Sequence, residues 1–258
     1  MIRLRGGRGL GDALYVRPVA EHFVRAGEQV TVCSDHPDVF IGSGARVERF
    51  ERVGCNVVAH YTHGKARTDT NQWQDVCTLA GVGDLALSFK WTIQRTELVR
   101  DLKAMARGKP IIMVNGGRAP MGRHDGFAQE MLPRRAAFDQ VLAALEGCFT
   151  VEVGKGAELY PLIADVDLAD RTSVADLLDI ATISAGLVGQ CSFMIPLAEA
   201  FDKPLLCVWA AKGLTSATEF IRLCTPQKIL SKPTSRWVMD DWSEAKIQEA
   251  AVAFRAVL

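Results

Sequence analysis

The residues most able to do chemistry open the chain. Gly6-Gly-Arg-Gly-Leu-Gly-Asp12 lies between a short apolar strand and a segment of helical period. Glycines at such a junction let the backbone approach a ligand closely, and the helix start behind them favours an anion. One reading is a dinucleotide site of an NAD(P)-dependent oxidoreductase, with Asp35 at the end of the second strand as the ribose-binding acid. The G-x-G-x-x-G spacing is not met, since from Gly7 the third glycine position falls on Asp12 and from Gly9 on Leu14. The plain reading of Asp12 is a helix cap. A second glycine-rich loop, Asn115-Gly-Gly-Arg-Ala-Pro-Met-Gly-Arg-His-Asp-Gly126, follows a strand at the end where open α/β sheets take ligands. Its Arg118 and Arg123 suit phosphate, because a guanidinium grips it bidentately. Lys155, in Gly154-Lys-Gly156 after the next strand, is a further candidate for that task. His60 and His63 form a short-range pair without an evident third metal ligand. Trp209 reads as an apolar anchor with a base-stacking alternative.

Strands alternating with helical segments must position these loops. The expected strands are 2–4, 29–33, 56–60, 111–114, 149–153, 187–189 and 205–209. The expected helices include one with Val16, Val19, Ala20 and Phe23 inward, kinked by Pro18 or begun near Arg17. Others span 97–105, a segment opened by Pro133, one capped by Ser173 with Asp176 three residues on, 194–201 and 243–258. Between residue 60 and Phe89 the pattern is weak. This alternation predicts an α/β fold of parallel βαβ units. Arg107-Gly-Lys-Pro110 is the natural boundary, dividing the chain into halves of 1–107 and 108–258.

Composition narrows the function classes. The 258 residues are 48% hydrophobic and 23% charged, a globular profile. The net charge is +0, from 30 Lys+Arg against 30 Asp+Glu, which argues against a protein that wraps nucleic acid. The seven cysteines are scattered without a C-x-x-C pair, so they read as reduced, buried thiols rather than zinc ligands or a disulfide scaffold. No run approaches the ~18 apolar residues of a membrane span. A cytoplasmic location is expected. The basic residues Arg95, Arg100, Lys103, Arg107 and Lys109 read as a solvated face, with an anion-facing groove as the alternative.

Two stretches carry a family resemblance. Leu10-Gly-Asp-Ala-Leu-Tyr-Val-Arg-Pro-Val19 resembles the N-terminal motif of the heptosyltransferase-like glycosyltransferases, family nine of the sugar transferases. Residues 170–204 are similar in spacing to that family's nucleotide-binding core: a Thr172-Ser173 helix start, a strand, the loop Gln190-Cys-Ser-Phe-Met-Ile-Pro-Leu-Ala198, a helix and a Lys203-Pro204 turn. The chain departs from the family pattern at Cys191 (Asp in the family), Phe193 (Gly) and Pro196 (His).

The resemblance implies a GT-B architecture of two Rossmann-like domains with a ligand cleft between them, the terminal helix crossing back to the first. It implies Asp12 as catalytic base. It also implies a donor site drawing on Gly9, Gly11, Asn115, Gly116, Gly117, Arg118, Arg123, Lys155, Thr172, Ser173, Gln190 and Ser192. The implied activity moves a sugar from an ADP-, UDP- or GDP-linked donor to a hydroxyl of a glycan or of a modified nucleobase, with no metal and no tightly bound cofactor. The alternative is a binding or regulatory protein that keeps the fold without the catalysis.

Overall fold

A computed structural model describes residues 1–51, 54–60, 71–116, 132–156, 158, 160–211 and 233–258. The first half carries β1 (Ile2–Arg5), α1 (Leu10–Arg25), β2 (Val30–Cys33), a 3-10 turn (Pro37–Phe40), β3 (Arg46–Glu48), β4 (Val57–Val58) and α2 (Gln72–Ala80). Then come α3 (Thr96–Ala106), β5 (Ile111–Asn115), α4 (Arg135–Ala144), β6 (Phe149–Glu152), β7 (Val166–Asp167) and α5 (Val174–Ile183). The chain ends with β8 (Gly186–Gln190), α6 (Met194–Ala200), β9 (Leu205–Trp209), β10 (Ser235–Met239) and α7 (Glu244–Arg255).

Two sheets result, ordered β3-β2-β1-β4 and β10-β9-β8-β5-β6-β7, and every neighbouring pair is parallel. Parallel strands buried on both faces need near-continuous apolar runs, and Ile111–Asn115 and Leu205–Trp209 are buried throughout. One buried cluster runs through both halves, joining Leu4, Val30 and Val32 with Leu14 and Val16 of α1, then Met113, Leu178, Leu187, Met194, Leu205 and Trp209. The opposite face of the second sheet has its own core, where Phe138 and Val141 of α4 meet Ile247, Ala251 and Phe254 of α7.

The halves meet where α1 packs on α6 and α5 packs on the 37–40 turn. Arg17, 1% exposed, fastens this junction. It donates to Glu21 (2.9 Å), the Val39 carbonyl (2.5 Å) and the Lys90 carbonyl (2.9 Å), and lies over the Phe89 ring at 4.2 Å. The following residues reach α5: Trp91 Nε1 and the Arg95 amide donate to Asp179 at 2.7 and 2.6 Å, and the Gln94 amide does so at 3.0 and 3.1 Å. Residues 89–95 thus form a strap tied to α1 at one end and to α5 at the other.

Several expectations change. The terminal helix α7 was expected to return to the first half. It packs instead on α4, β9 and β10, because Ile247, Ala251 and Phe254 complete the outer core of the second sheet. The sequence division groups α3 with the first half, yet it packs on α5, with Val99, Leu102 and Ala106 buried. Helix α1 runs unbroken from Leu10 through Pro18, and Pro18 is buried together with Leu14, Val16, Val19 and Ala20 of the same helix. That packing outweighs the single helical hydrogen bond a proline forfeits. Pro133 lies two residues ahead of α4, which begins at Arg135. The capping box of α5 is present, with Asp176 N donating to Ser173 Oγ at 3.1 Å and Ser173 N to Asp176 Oδ2 at 2.9 Å.

Candidate functional site

The loop between β1 and α1 is shaped around one carboxylate. Asp12 stands in the first turn of α1, and its Oδ2 accepts the Gly9 amide at 3.0 Å, a capping contact at the positive end of the helix. Its Oδ1 faces His60 Nε2 at 3.6 Å, an ion-pair distance rather than a hydrogen bond. Side-chain exposures of 15% for Asp12 and 23% for His60 leave both reachable from solvent. Gly7 makes this arrangement possible, since a methyl there would overlap Asp12 Oδ2 and stand 2.8 Å from His60 Nε2. Gly9, by contrast, is the N-cap residue, in extended backbone.

Beside this loop, Arg8 Nε donates to Asp35 Oδ2 at 2.9 Å, and His36 Nε2 lies 3.1 Å from the Arg8 carbonyl. The acid that a ribose would need is therefore engaged by a guanidinium. Arg8 also lies over the Phe50 ring at 5.5 Å, and Arg8, Arg49, Phe50 and Glu51 line a shallow open pocket.

The second half contributes the carboxyl ends of β5 and β8. Asn115, 5% exposed, donates from Nδ2 to the Val153 carbonyl beyond β6 at 2.9 Å, and its Oδ1 accepts the Ser192 hydroxyl at 3.3 Å. Ser192 Oγ in turn accepts the Met194 amide at 3.3 Å, at the start of α6. Asn115 thereby joins the ends of three strands, and Gln190, at the end of β8, is 7% exposed. Gly116 is where the chain leaves β5 past the Phe138 ring; an added methyl would stand 2.5 Å from it.

The two halves converge at Gly11. A methyl on Gly11 would stand 3.4 Å from the Phe193 backbone and 3.5 Å from the Pro196 ring, so the start of α1 lies directly against the start of α6. Asp12 and Ser192, 180 positions apart, therefore flank one junction. Phe193 is partly buried against the shared core.

Other predicted residues are placed differently. Ser173 uses its hydroxyl to cap α5, Thr172 precedes it, half-buried, and Lys155 is exposed beyond β6. Gly117, Arg118, Arg123 and His63 lie outside the described residues. The sequence tied Gly7 only to the dinucleotide spacing and paired His60 with His63 instead of Asp12. The doubled glycine at 6–7 was the available signal for the first. The second depends on β4 lying beside β1, which the sequence does not spell out. Among the described residues, no three His, Cys, Asp or Glu side chains gather as a metal site requires, and no helix is long and apolar enough to cross a membrane.

No protein-family model matches the sequence, and no curated protein matches it. Solved structures do. The E. coli ADP-heptose LPS heptosyltransferase II superposes with a TM-score of 0.61 over 100% of this chain and 98% of its own, at 11% identity. The fold is that of the GT-B glycosyltransferases. A family 9 glycosyl transferase from Veillonella parvula gives the same TM-score of 0.61, covering 98% of this chain and 96% of its own at 11% identity. The E. coli heptosyltransferase WaaC, solved with ADP, gives 0.54 over 99% and 98%, again at 11% identity. The resemblance seen in the N-terminal motif and the 170–204 spacing thus extends to the fold of the whole chain.

Proposed function

We propose that this protein is a glycosyltransferase that moves a sugar from a nucleotide diphosphate donor to an acceptor hydroxyl. The observation that carries the reading is the junction at Gly11, which brings the partly exposed carboxylate of Asp12 and the hydroxyl of Ser192 to facing edges of a GT-B fold. Asp12 acts as general base. Its Oδ2 is held by the Gly9 amide, so Oδ1 receives the proton as the acceptor oxygen attacks the anomeric carbon. The bond from that carbon to the diphosphate oxygen breaks in the same step, and the nucleotide leaves with the electron pair. His60, facing Oδ1, keeps the carboxylate oriented. Ser192, Asn115 and the amides at the start of α6 face the donor phosphates, and Arg118, Arg123 or Lys155 offset the leaving-group charge. ADP in the WaaC structure favours trying an ADP-linked sugar first. A glycan hydroxyl is the preferred acceptor, ahead of a modified nucleobase, because the chain has no basic excess.

A second reading, a binding or regulatory protein on the same scaffold, is favoured by one observation. Phe193 and Pro196 stand against Gly11, where smaller or polar groups would admit a diphosphate more readily. Thermal shift against ADP-, UDP- and GDP-sugars, with NAD(P) as control, separates the readings. A shift with a nucleotide sugar, together with sugar transfer lost in Asp12→Asn while the shift persists, is the expected result. A shift without any transfer by the unaltered protein favours the binding protein. No shift with any nucleotide sugar sinks both, and a shift with NAD(P) alone revives the oxidoreductase.

A further inference from the structure

Cys33 ends β2, and Cys55 comes two residues ahead of β4, so the two flank β1 in the first sheet. Their sulfurs are 3.5 Å apart, with the Cys55 thiol donating to Cys33 Sγ and lying 3.8 Å from the Glu51 carbonyl. A disulfide has its sulfurs about 2.05 Å apart, so closing the bond draws the two sulfurs together across the edge of β1. The surroundings are not those of inert core thiols. Cys33 raises the pKa of the Arg3 guanidinium above its ordinary value, and Arg5 stands in register with Cys33 on the neighbouring strand. Glu48 and Glu51 share Arg3 at 3.2 and 2.9 Å. Cys33 is 1% exposed, whereas Cys55 is half-buried and forms the approach to it.

We propose that Cys33 and Cys55 form an oxidisable dithiol that closes to an intramolecular disulfide on reaction with a peroxide. Cys33 Sγ accepts the Cys55 S–H, so the two sulfurs already share one hydrogen bond. Burial and the neighbouring Cys33 push the Cys55 thiol up to about 11. Cys33 Sγ attacks one peroxide oxygen: the S–O bond forms, the O–O bond breaks, and the departing hydroxide takes the Cys33 proton to become water. The Cys55 sulfur then attacks the sulfenic sulfur, the S–S bond forms, and the hydroxyl leaves as water with the Cys55 proton. In sum, two thiols are oxidised and one peroxide is reduced to two waters.

The position gives this bond reach. Cys33 lies two residues before Asp35, the partner of Arg8, and Cys55 lies five residues before His60, the neighbour of Asp12. Oxidation would pin the bases of both loops that frame the glycine junction. The inference does not depend on the transferase reading.

The test is to treat the full-length chain with stoichiometric hydrogen peroxide, block remaining thiols with N-ethylmaleimide, digest with trypsin and weigh the peptides. The expected product is a dithiothreitol-sensitive species joining peptide 26–46 to peptide 53–65, with other cysteines alkylated. The oxidised protein should melt several degrees higher than the reduced one. In Cys55→Ser the cross-link should vanish, and a Cys33 sulfenate should be trapped by dimedone. Because Cys55 is half-buried, this variant keeps the test independent of whether a Cys33 substitution folds. Over-oxidation of either cysteine without a cross-link, or a Cys33–Cys55 species no more abundant than links among other cysteines, overturns the proposal.

Discussion

Two aspartates at the junction of the halves are treated in opposite ways. Asp179 is 0% exposed and takes three N–H groups from the 89–95 strap, among them two backbone amides. Asp12 keeps one oxygen on a single amide and turns the other to a histidine and to solvent. A carboxylate saturated with donors is a rivet, because any proton or substrate must displace fixed partners. One with an uncommitted oxygen at a glycine loop has the freedom that proton transfer requires. Burial alone does not mark a functional acid; the state of its lone pairs does.

Substitutions can break this contrast, and the largest effect is expected at Asp179. Asp179→Ala leaves the Trp91, Gln94 and Arg95 donors buried without their acceptor and should cost on the order of 3–5 kcal/mol, measured by urea denaturation. Arg17→Met comes next. It keeps the apolar packing on Phe89 but abandons Glu21 and two carbonyls, and should cost roughly 2–3 kcal/mol by the same assay. Asp12→Asn should cost less than about 1 kcal/mol, since an amide oxygen can still cap the helix. A loss at Asp12 as large as at Asp179 would erase the distinction between them.

The smallest effect concerns pH. Burial raises the pKa of Cys55 to about 11, that of Cys207 well above its ordinary value, and those of Cys77 and Cys148 upward. The folded state holds these protons after the unfolded chain has begun to lose them near the ordinary value of 9.0, so stability should fall as pH rises from there towards 11. Urea midpoints at pH 7, 9 and 10.5 check the sign, and a flat profile would remove the thiols from the account.

The same contrast explains what was readable in the sequence. Runs such as 111–114 and 205–209 declare themselves because parallel strands buried on both faces need unbroken apolar residues. The short β3, the two-residue β7, and the mixed Ser-Arg-Trp-Val-Met of edge strand β10 carry no such signature, and α2 lies in a segment of weak period. Asp12 was legible because its neighbours in sequence, the glycines, are also its neighbours in space. Asp179 looked like one more acid on a helix, since its donors arrive from 84 to 88 residues away, two of them main-chain groups that every residue possesses. The Gly11 contact with Phe193 was hidden for the same reason.

The buried cluster that passes through both sheets bears on how the chain comes apart. Domains with separate cores and polar interfaces melt in separate steps. Here Leu14 and Val16 of the first half share one interior with Met194 and Leu205 of the second, so neither half keeps a complete interior once the other is lost. Differential scanning calorimetry should record a single cooperative endotherm, its van't Hoff and calorimetric enthalpies agreeing.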